Sequence, residues 1–345
     1  MVLIVFIALS LFIFAACTIT ALLIYSKSFG RINSPKEQGF YSYLTWKETG
    51  EAGYSRKEVH FNSGVNKLQG FIYGGENLRG LVVISQGLGS TVESYSSLIL
   101  HFVDRGWCVF AFNNTGVAGS GGKGTRGLYQ SAIDLDAALT YVENAEEFNG
   151  MPVMLAGHSW GGFAVCAVLN YEHKVNAAVS FAGYNSGSEV LMEQGRITAG
   201  GFYYIIKPQM YILQKLLFGK SANLTAVDGI NKSGIPVMIV QCSDDNLIYA
   251  GSSSIYAHRE KITNPHVKII YRQGEDATGH EYAFHSRRQK EYREWADLSW
   301  KKYKLENKDA SQLRWAEEIK YDKALANELD PDLMEQIEEL FNSAL

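Results

Sequence analysis

Ser159 stands between two glycines in Gly157-His158-Ser159-Trp160-Gly161, behind the apolar run 152–156 and ahead of an apolar helical pattern. That is the layout of a sharp strand-to-helix turn, which strains the serine backbone and presents its hydroxyl. A side chain at either glycine would collide with the far wall of such a turn. The helix that begins at Trp160 aims its N-terminus at the serine, where an oxyanion would form. A serine hydroxyl is a poor nucleophile on its own. It needs a base to take its proton and an acid group to orient that base. Asp244 and Asp245 follow one predicted strand and His280 follows the next, so both groups lie at strand ends on the edge that carries Ser159. Ser, Asp and His in this order would perform acyl transfer: attack on a carbonyl, an acyl-enzyme, and its cleavage by water. This chemistry asks for no metal and no organic cofactor.

Residues that must meet this way have to be carried by strands ending on one edge of a sheet. Residues 80–85, 107–112, 177–181, 235–241 and 267–271 read as buried strands. Residues 56–62 and 67–73 alternate apolar and polar side chains around Asn62-Ser63-Gly64, as a hairpin does. Residues 94–103, 128–147 and a stretch near 252–261 read as helices. The alternation predicts an α/β fold, with a mostly parallel sheet covered on both faces. Two segments interrupt it. Residues 183–234 form a greasy helical insertion. Residues 287–345 form a charged, largely helical tail, in which Asp330 is an expected N-cap and Pro331 the first helical residue. The stripe Leu333, Ile337, Leu340 and Phe341 is expected to dock on the main core.

Four stretches, spread over roughly residues 56–300, together resemble the α/β-hydrolase superfamily. Gly157-His158-Ser159-Trp160-Gly161 is similar to its nucleophile elbow. Cys242-Ser243-Asp244-Asp245-Asn246-Leu247-Ile248 resembles its acid loop, Gly-x-x-Asp-x-x-Val, which implies Asp245 as the acid with Asp244 as the fallback. Thr278-Gly279-His280 is similar to the Gly-His before its last helix, which implies His280 as the base; His285 is the other candidate. Asn113-Asn114-Thr115-Gly116-Val117-Ala118-Gly119-Ser120 resembles its Asp-x-Arg-Gly-x-Gly-x-Ser loop, with the charged residues replaced. After the third strand the family often carries His-Gly; here the chain reads Gln86-Gly87-Leu88-Gly89. The resemblance implies an oxyanion hole made by the backbone N–H groups of Leu88 and Trp160. Backbone donors do not depend on side-chain identity, so Gln86 leaves that expectation standing.

The resemblance also implies that residues 183–234 lie over the nucleophile as a lid. Their aromatic and aliphatic side chains predict an apolar acyl pocket and a carboxylic ester, lipid-like esters included, as the small-molecule substrate. Related lids serve peptides, so a serine aminopeptidase is the near alternative. Glu189 and Glu193 are then candidate anchors for an amine, against the plainer reading of two surface helix carboxylates. A thioesterase or acyltransferase uses the same residues. A reading of another class is a non-catalytic scaffold tethered at a membrane, against which the intact Ser, His and Asp argue.

Residues 2–25 carry no charged side chain. At ~1.5 Å per residue they reach ~36 Å, enough to cross a hydrocarbon core of ~30 Å. This predicts a transmembrane anchor over residues 1–27, a linker over 28–55 containing Pro35 and Gly39, and an α/β-hydrolase domain over 56–345. A cleaved secretory signal is the second reading, although such signals start with a basic region and have a shorter apolar core. Lys27, Arg31 and Lys36 follow the run, so the positive-inside tendency puts the catalytic part in the cytoplasm, and outside it otherwise. A net charge of −4 without a basic block gives no reason to expect nucleic acid. Cys17, Cys108, Cys166 and Cys242 lack metal-site spacing, and the last three read as small core residues.

Overall fold

The computed structural model describes residues 2–33, 44–75 and 78–345. Pro35, Lys36 and Gly39 of the expected linker lie outside the described residues. Among the described residues eight strands form one sheet: β1 (Arg56–Ser63), β2 (Asn66–Tyr73), β3 (Leu81–Ser85), β4 (Cys108–Phe112), β5 (Val153–His158), β6 (Ala177–Phe181), β7 (Val237–Cys242) and β8 (Val267–Arg272). Their order is β1-β2-β4-β3-β5-β6-β7-β8. The β1–β2 and β2–β4 pairs are antiparallel and every other pair is parallel.

The central strands are buried throughout because they alternate between two cores. Leu81 and Val83 of β3 and Val153 and Leu155 of β5 face one core. Val82, Ile84, Met154 and Ala156 face the other. The first core is covered by α4 (Gln130–Asn144), α5 (Trp160–Ala167) and α8 (Ala226–Ser233). The second is covered by α3 (Ser96–Val103) and α11 (Pro331–Asn342). The sheet is therefore a slab with helices on both sides, as the alternation predicts. All six parallel strands end on one edge, and the loops after β3, β5, β7 and β8 emerge there together.

Residues 183–234 fold into α6 (Gly187–Ala199), α7 (Tyr203–Phe218) and α8. α8 buries Ala226 and Ile230 against α5 and returns the chain to β7, so α6 and α7 are the projecting part. The expected helix near 252–261 is instead a 3-10 helix over Tyr256–Lys261. Ser254 pairs with Tyr184 in an isolated bridge and Ile255 N–H bonds to Gly183 O, which leaves only the following residues free to coil.

In the tail, Asp330 accepts a hydrogen bond from Leu333 N–H at 3.0 Å and Pro331 starts α11. Leu333, Ile337 and Phe341 are buried in the second core and Leu340 is half-buried, which is the expected docking. α9 (Arg287–Glu306) and α10 (Gln312–Glu318) pack a small cluster of their own around Trp315.

At the other end, α1 (Val2–Ser28) is long and apolar enough to cross a membrane. Its final turns are not free: Ala21, Tyr25 and the following Phe29 join the first core beside α7. The chain beyond is pinned as well. Ile32 N–H bonds to Gly116 O at 2.9 Å, and the Arg31 guanidinium donates to the carbonyls of Ala118, Ser120 and Gly122. Part of the stretch expected as a linker is thus stitched to the glycine-dense loop 113–127. The short helix α2 (Trp46–Glu51) precedes β1, held by a capping box between Thr45 and Glu48.

Candidate active site

β5 ends at His158, and Ser159 turns the chain into α5 with φ 55° and ψ −110°. A non-glycine residue in that region is strained, and the surrounding packing must hold it there. The Ser159 N–H donates to Phe181 O at 2.8 Å. The flanking glycines answer to contact. A Cβ on Gly161 would lie 1.9 Å from Ser85 O, and one on Gly157 would lie 2.2 Å from Gly161 O.

His280 and Asp245 meet at this serine. His280 Nε2 lies 2.8 Å from Ser159 Oγ, and His280 Nδ1 lies 2.8 Å from Asp245 Oδ2. A carboxylate only accepts, so Nδ1 carries the proton and the Nε2 lone pair faces the hydroxyl. Asp245 Oδ1 accepts from the N–H groups of Leu247 and Ile248 at 2.9 and 2.8 Å, which fixes the carboxylate. Gln241 Nε2 adds a contact to Oδ2 at 3.2 Å.

The fallback residues are elsewhere. Asp244 accepts from Gly279 N–H at 2.8 Å and pairs with Lys290 at 2.9 Å. Burial alone would raise its pKa; the Lys290 and Gly279 bonds outweigh that and lower it. Asp244 thus ties the acid loop to the histidine loop without touching His280. His285 is buried, its ring 4.4 Å from that of Phe284, away from the serine.

Tyr95 and His158 complete the site in a way no sequence pattern marks. Gly87 N–H donates to Tyr95 Oη at 2.8 Å, and the Tyr95 hydroxyl lies 2.9 Å from His158 Nδ1. His158 Nε2 lies 2.9 Å from His280 O. A carbonyl only accepts, so Nε2 carries the proton and Nδ1 takes the tyrosine's. This chain of bonds joins the loop after β3 to the loop after β8. His158 thus does more than pack beside the nucleophile: it bonds to both loops.

Burial, with His280 close by, pushes His158 down to about 3; burial likewise pushes His285 to about 3. Both are neutral in the fold and titrate near 6.5 when unfolded. Below pH 6.5 the unfolded chain binds more protons, so stability falls as pH drops toward 3. At pH 5 each histidine costs about 2 kcal/mol. His285→Gln is therefore expected to shrink the stability lost between pH 7 and pH 5 by about that amount in chemical denaturation. An unchanged pH slope would contradict the neutral, buried assignment.

A family model described as serine aminopeptidase, S33, matches residues 76–223. It runs from just before β3 to just past α7 and stops short of Asp245 and His280. Among solved structures, an esterase of Pyrococcus furiosus, PF2001, aligns with a TM-score of 0.54 at 17% identity, over 73% of this chain and 91% of that one. A second crystal form of the same esterase aligns at 0.54 and 18%, over 77% and 96%. The chain has the α/β-hydrolase fold. At these identities the likeness to the esterase is one of fold. No curated protein matches this chain in sequence.

The protein holds a cleft of about 220 Å³ beside Ser159 and His280. Leu128, Tyr184, Val190, Leu247 and Ile248 give it an apolar wall, and Val190 comes from α6. Leu88 and Trp160 also line it. Trp160 is the first residue of α5, so its N–H is one that a helix leaves without an internal partner. Gln86, standing where the family often has His, donates to Ser90 O at 2.8 Å and braces the loop that carries Leu88. Glu193 corrects the expectation of a surface carboxylate. It is 9% exposed and accepts from Ser253 Oγ at 2.6 Å. Glu189 pairs with His258 at 3.1 Å, and neither glutamate lines the Ser159 cleft.

Proposed function

We propose that this α/β hydrolase is a serine hydrolase that cleaves a carboxylic ester with an apolar acyl group. The observation that carries the reading is the relay of two 2.8 Å contacts, Ser159 Oγ to His280 Nε2 and His280 Nδ1 to Asp245 Oδ2, on a strained serine. His280 takes the hydroxyl proton as Ser159 Oγ bonds to the carbonyl carbon, and Asp245 holds the resulting imidazolium. The Leu88 and Trp160 N–H groups receive the oxyanion, each worth about 3 kcal/mol in the transition state. His280 then gives its proton to the leaving alkoxide. Water, deprotonated by the same imidazole, attacks the acyl-enzyme and frees Ser159. None of these steps draws on a metal or an organic cofactor.

The apolar wall of the cleft favours an acyl chain over a charged N-terminus. Neither glutamate of α6, the expected amine anchors, lines the cleft, and Glu281 is the carboxylate that does. An acyl-length series of nitrophenyl esters, run beside aminoacyl-nitroanilides, tests the reading. Medium-chain esters are expected to exceed acetate by ~10-fold in kcat/KM, since each buried methylene adds to binding. Anilides that outrun every ester would sink it and favour the aminopeptidase.

α1 serves in this reading as a single membrane anchor with the catalytic part in the cytoplasm. Lys27 is its basic flank, while Arg31 is folded onto the body. A reporter fused at the C-terminus is expected to be active in the cytoplasm, and a signal outside it would reverse the orientation.

A further inference from the structure

We propose that the outward face of α7 beds into the bilayer that α1 crosses, so that the cleft draws its ester from the lipid side. The substrate part of this inference rests on the serine-hydrolase reading; the geometric part rests on α1 as the membrane anchor and on the surface of α7. That helix turns Tyr203, Ile206, Met210, Gln214 and Phe218 inward. The opposite arc of a helix facing water is polar. Here the arc is Tyr204, Ile205, Pro208, Tyr211, Ile212 and Leu216, with Lys215 among them and the exposed Lys207 at its flank. Leu216 is 78% exposed, Ile205 51% and Ile212 48%. Single exposed apolar side chains are ordinary, but a mainly apolar face over three turns is an interaction surface.

α1 indicates what covers it. Ala21 and Tyr25 share a core with Met210 and Phe218, and Leu213 and Leu217 pack on that core from the flank of α7. The remainder of α1 exposes Val, Leu, Ile and Phe on every side, a surface that hydrocarbon covers. A bilayer around α1 therefore reaches the helix beside it. Tyr204, Tyr211 and Lys215 are the residue types that settle at headgroup level, and the Lys215 ammonium lies 5.3 Å from the centre of the Tyr211 ring. α6, joined to α7 by a short turn and packed against it, supplies Val190 and Gln194 to the cleft, and Leu247 on its wall is 43% exposed. An acyl chain passing from the bilayer to that wall stays in apolar surroundings and avoids water.

The test uses the full chain in vesicles of phosphatidylcholine and phosphatidylglycerol. A nitroxide is placed at Ile212→Cys in a Cys17→Ser background, since the other three cysteines are buried. Val65→Cys, on the β1–β2 turn and 97% exposed, is the water reference. The label at 212 is expected to collide more with oxygen than with a nickel chelate, and the label at 65 the reverse. A label at 212 as open to the chelate as the one at 65 overturns the proposal. So does a label shielded from both reagents, which would put a protein, such as a second copy, on this face.

Activity gives an independent readout. The double variant Ile205→Glu, Leu216→Glu is expected to lose ~10-fold or more against a long-chain monoacylglycerol in the vesicles. It should keep its rate on a short water-soluble nitrophenyl ester. Equal retention on both substrates overturns the bilayer proposal. A wild type that cleaves neither substrate overturns the serine-hydrolase reading, and the nitroxide result still decides the placement of α7.

Discussion

Asp245→Asn is expected to lower kcat by about 10⁴-fold while leaving the fold intact. Asp245 Oδ2 is where the His280 Nδ1 proton goes, at 2.8 Å. The other oxygen is held by the Leu247 and Ile248 N–H groups, so an amide must keep its oxygen there and turn its NH₂ toward His280. Two donors cannot share one contact. His280 would shift its proton to Nε2 and lose the lone pair that accepts from Ser159. A 10⁴-fold loss corresponds to about 5.5 kcal/mol of transition-state stabilisation. Asp244→Asn is the control. It weakens a pair with Lys290 that is part-exposed, and it leaves His280 untouched. Its expected cost is within ~10-fold, because part-exposed pairs contribute ~1 kcal/mol or less. Steady-state kinetics on one nitrophenyl ester decides between them, and the reverse ranking would assign the acid to Asp244.

Gly161→Ala is expected to remove both activity and the folded state. The added Cβ would lie 1.9 Å from Ser85 O and 2.9 Å from Gln86 O. Those are backbone atoms at the end of β3, where the loop to Leu88 begins, so no side chain can swing aside. Either β3 and the loop shift or α5 lifts from the sheet, at a cost of about 3 kcal/mol or more. Gly201→Ala, where a Cβ meets nothing within 4 Å and no left-handed φ is required, is expected to change stability by less than ~0.5 kcal/mol. Thermal unfolding of the two variants separates contact at the elbow from a general cost of replacing glycine. Equal midpoints would contradict the packing described for Gly161.

Much of the framework was legible from local pattern. β3, β4 and β5 are short runs of Val, Ile, Leu, Phe and Ala because both their faces are buried, and that composition survives in the sequence. Ser159, Asp245 and His280 were legible because each lies in the loop or turn that follows a strand, and a parallel sheet delivers such loops to one edge. The Tyr95–His158 bond was not, since it joins residues on separate loops through packing that leaves no periodic trace. Glu193 reads as a surface residue of α6 until Ser253 arrives from a loop after β7 to bond it. The 3-10 helix at Tyr256–Lys261 follows from a bridge to Tyr184, which local propensity does not encode. Ile32 and Arg31 look like a tether, yet they are held by carbonyls of a loop far along the chain.

His158 also bears on the mechanism. It is the neutral middle of a line of bonds from Gly87 to His280 O, so it positions both the loop carrying Leu88 and the loop carrying the base. The serine, however, bears the whole account. Treatment of the full-length protein with a fluorophosphonate is the most direct measurement of it. The account predicts one covalent adduct, mapped by mass spectrometry to the peptide containing Ser159, and none in Ser159→Ala or His280→Ala. A folded wild-type protein that takes up no label, or one labelled equally after Ser159→Ala, would contradict it.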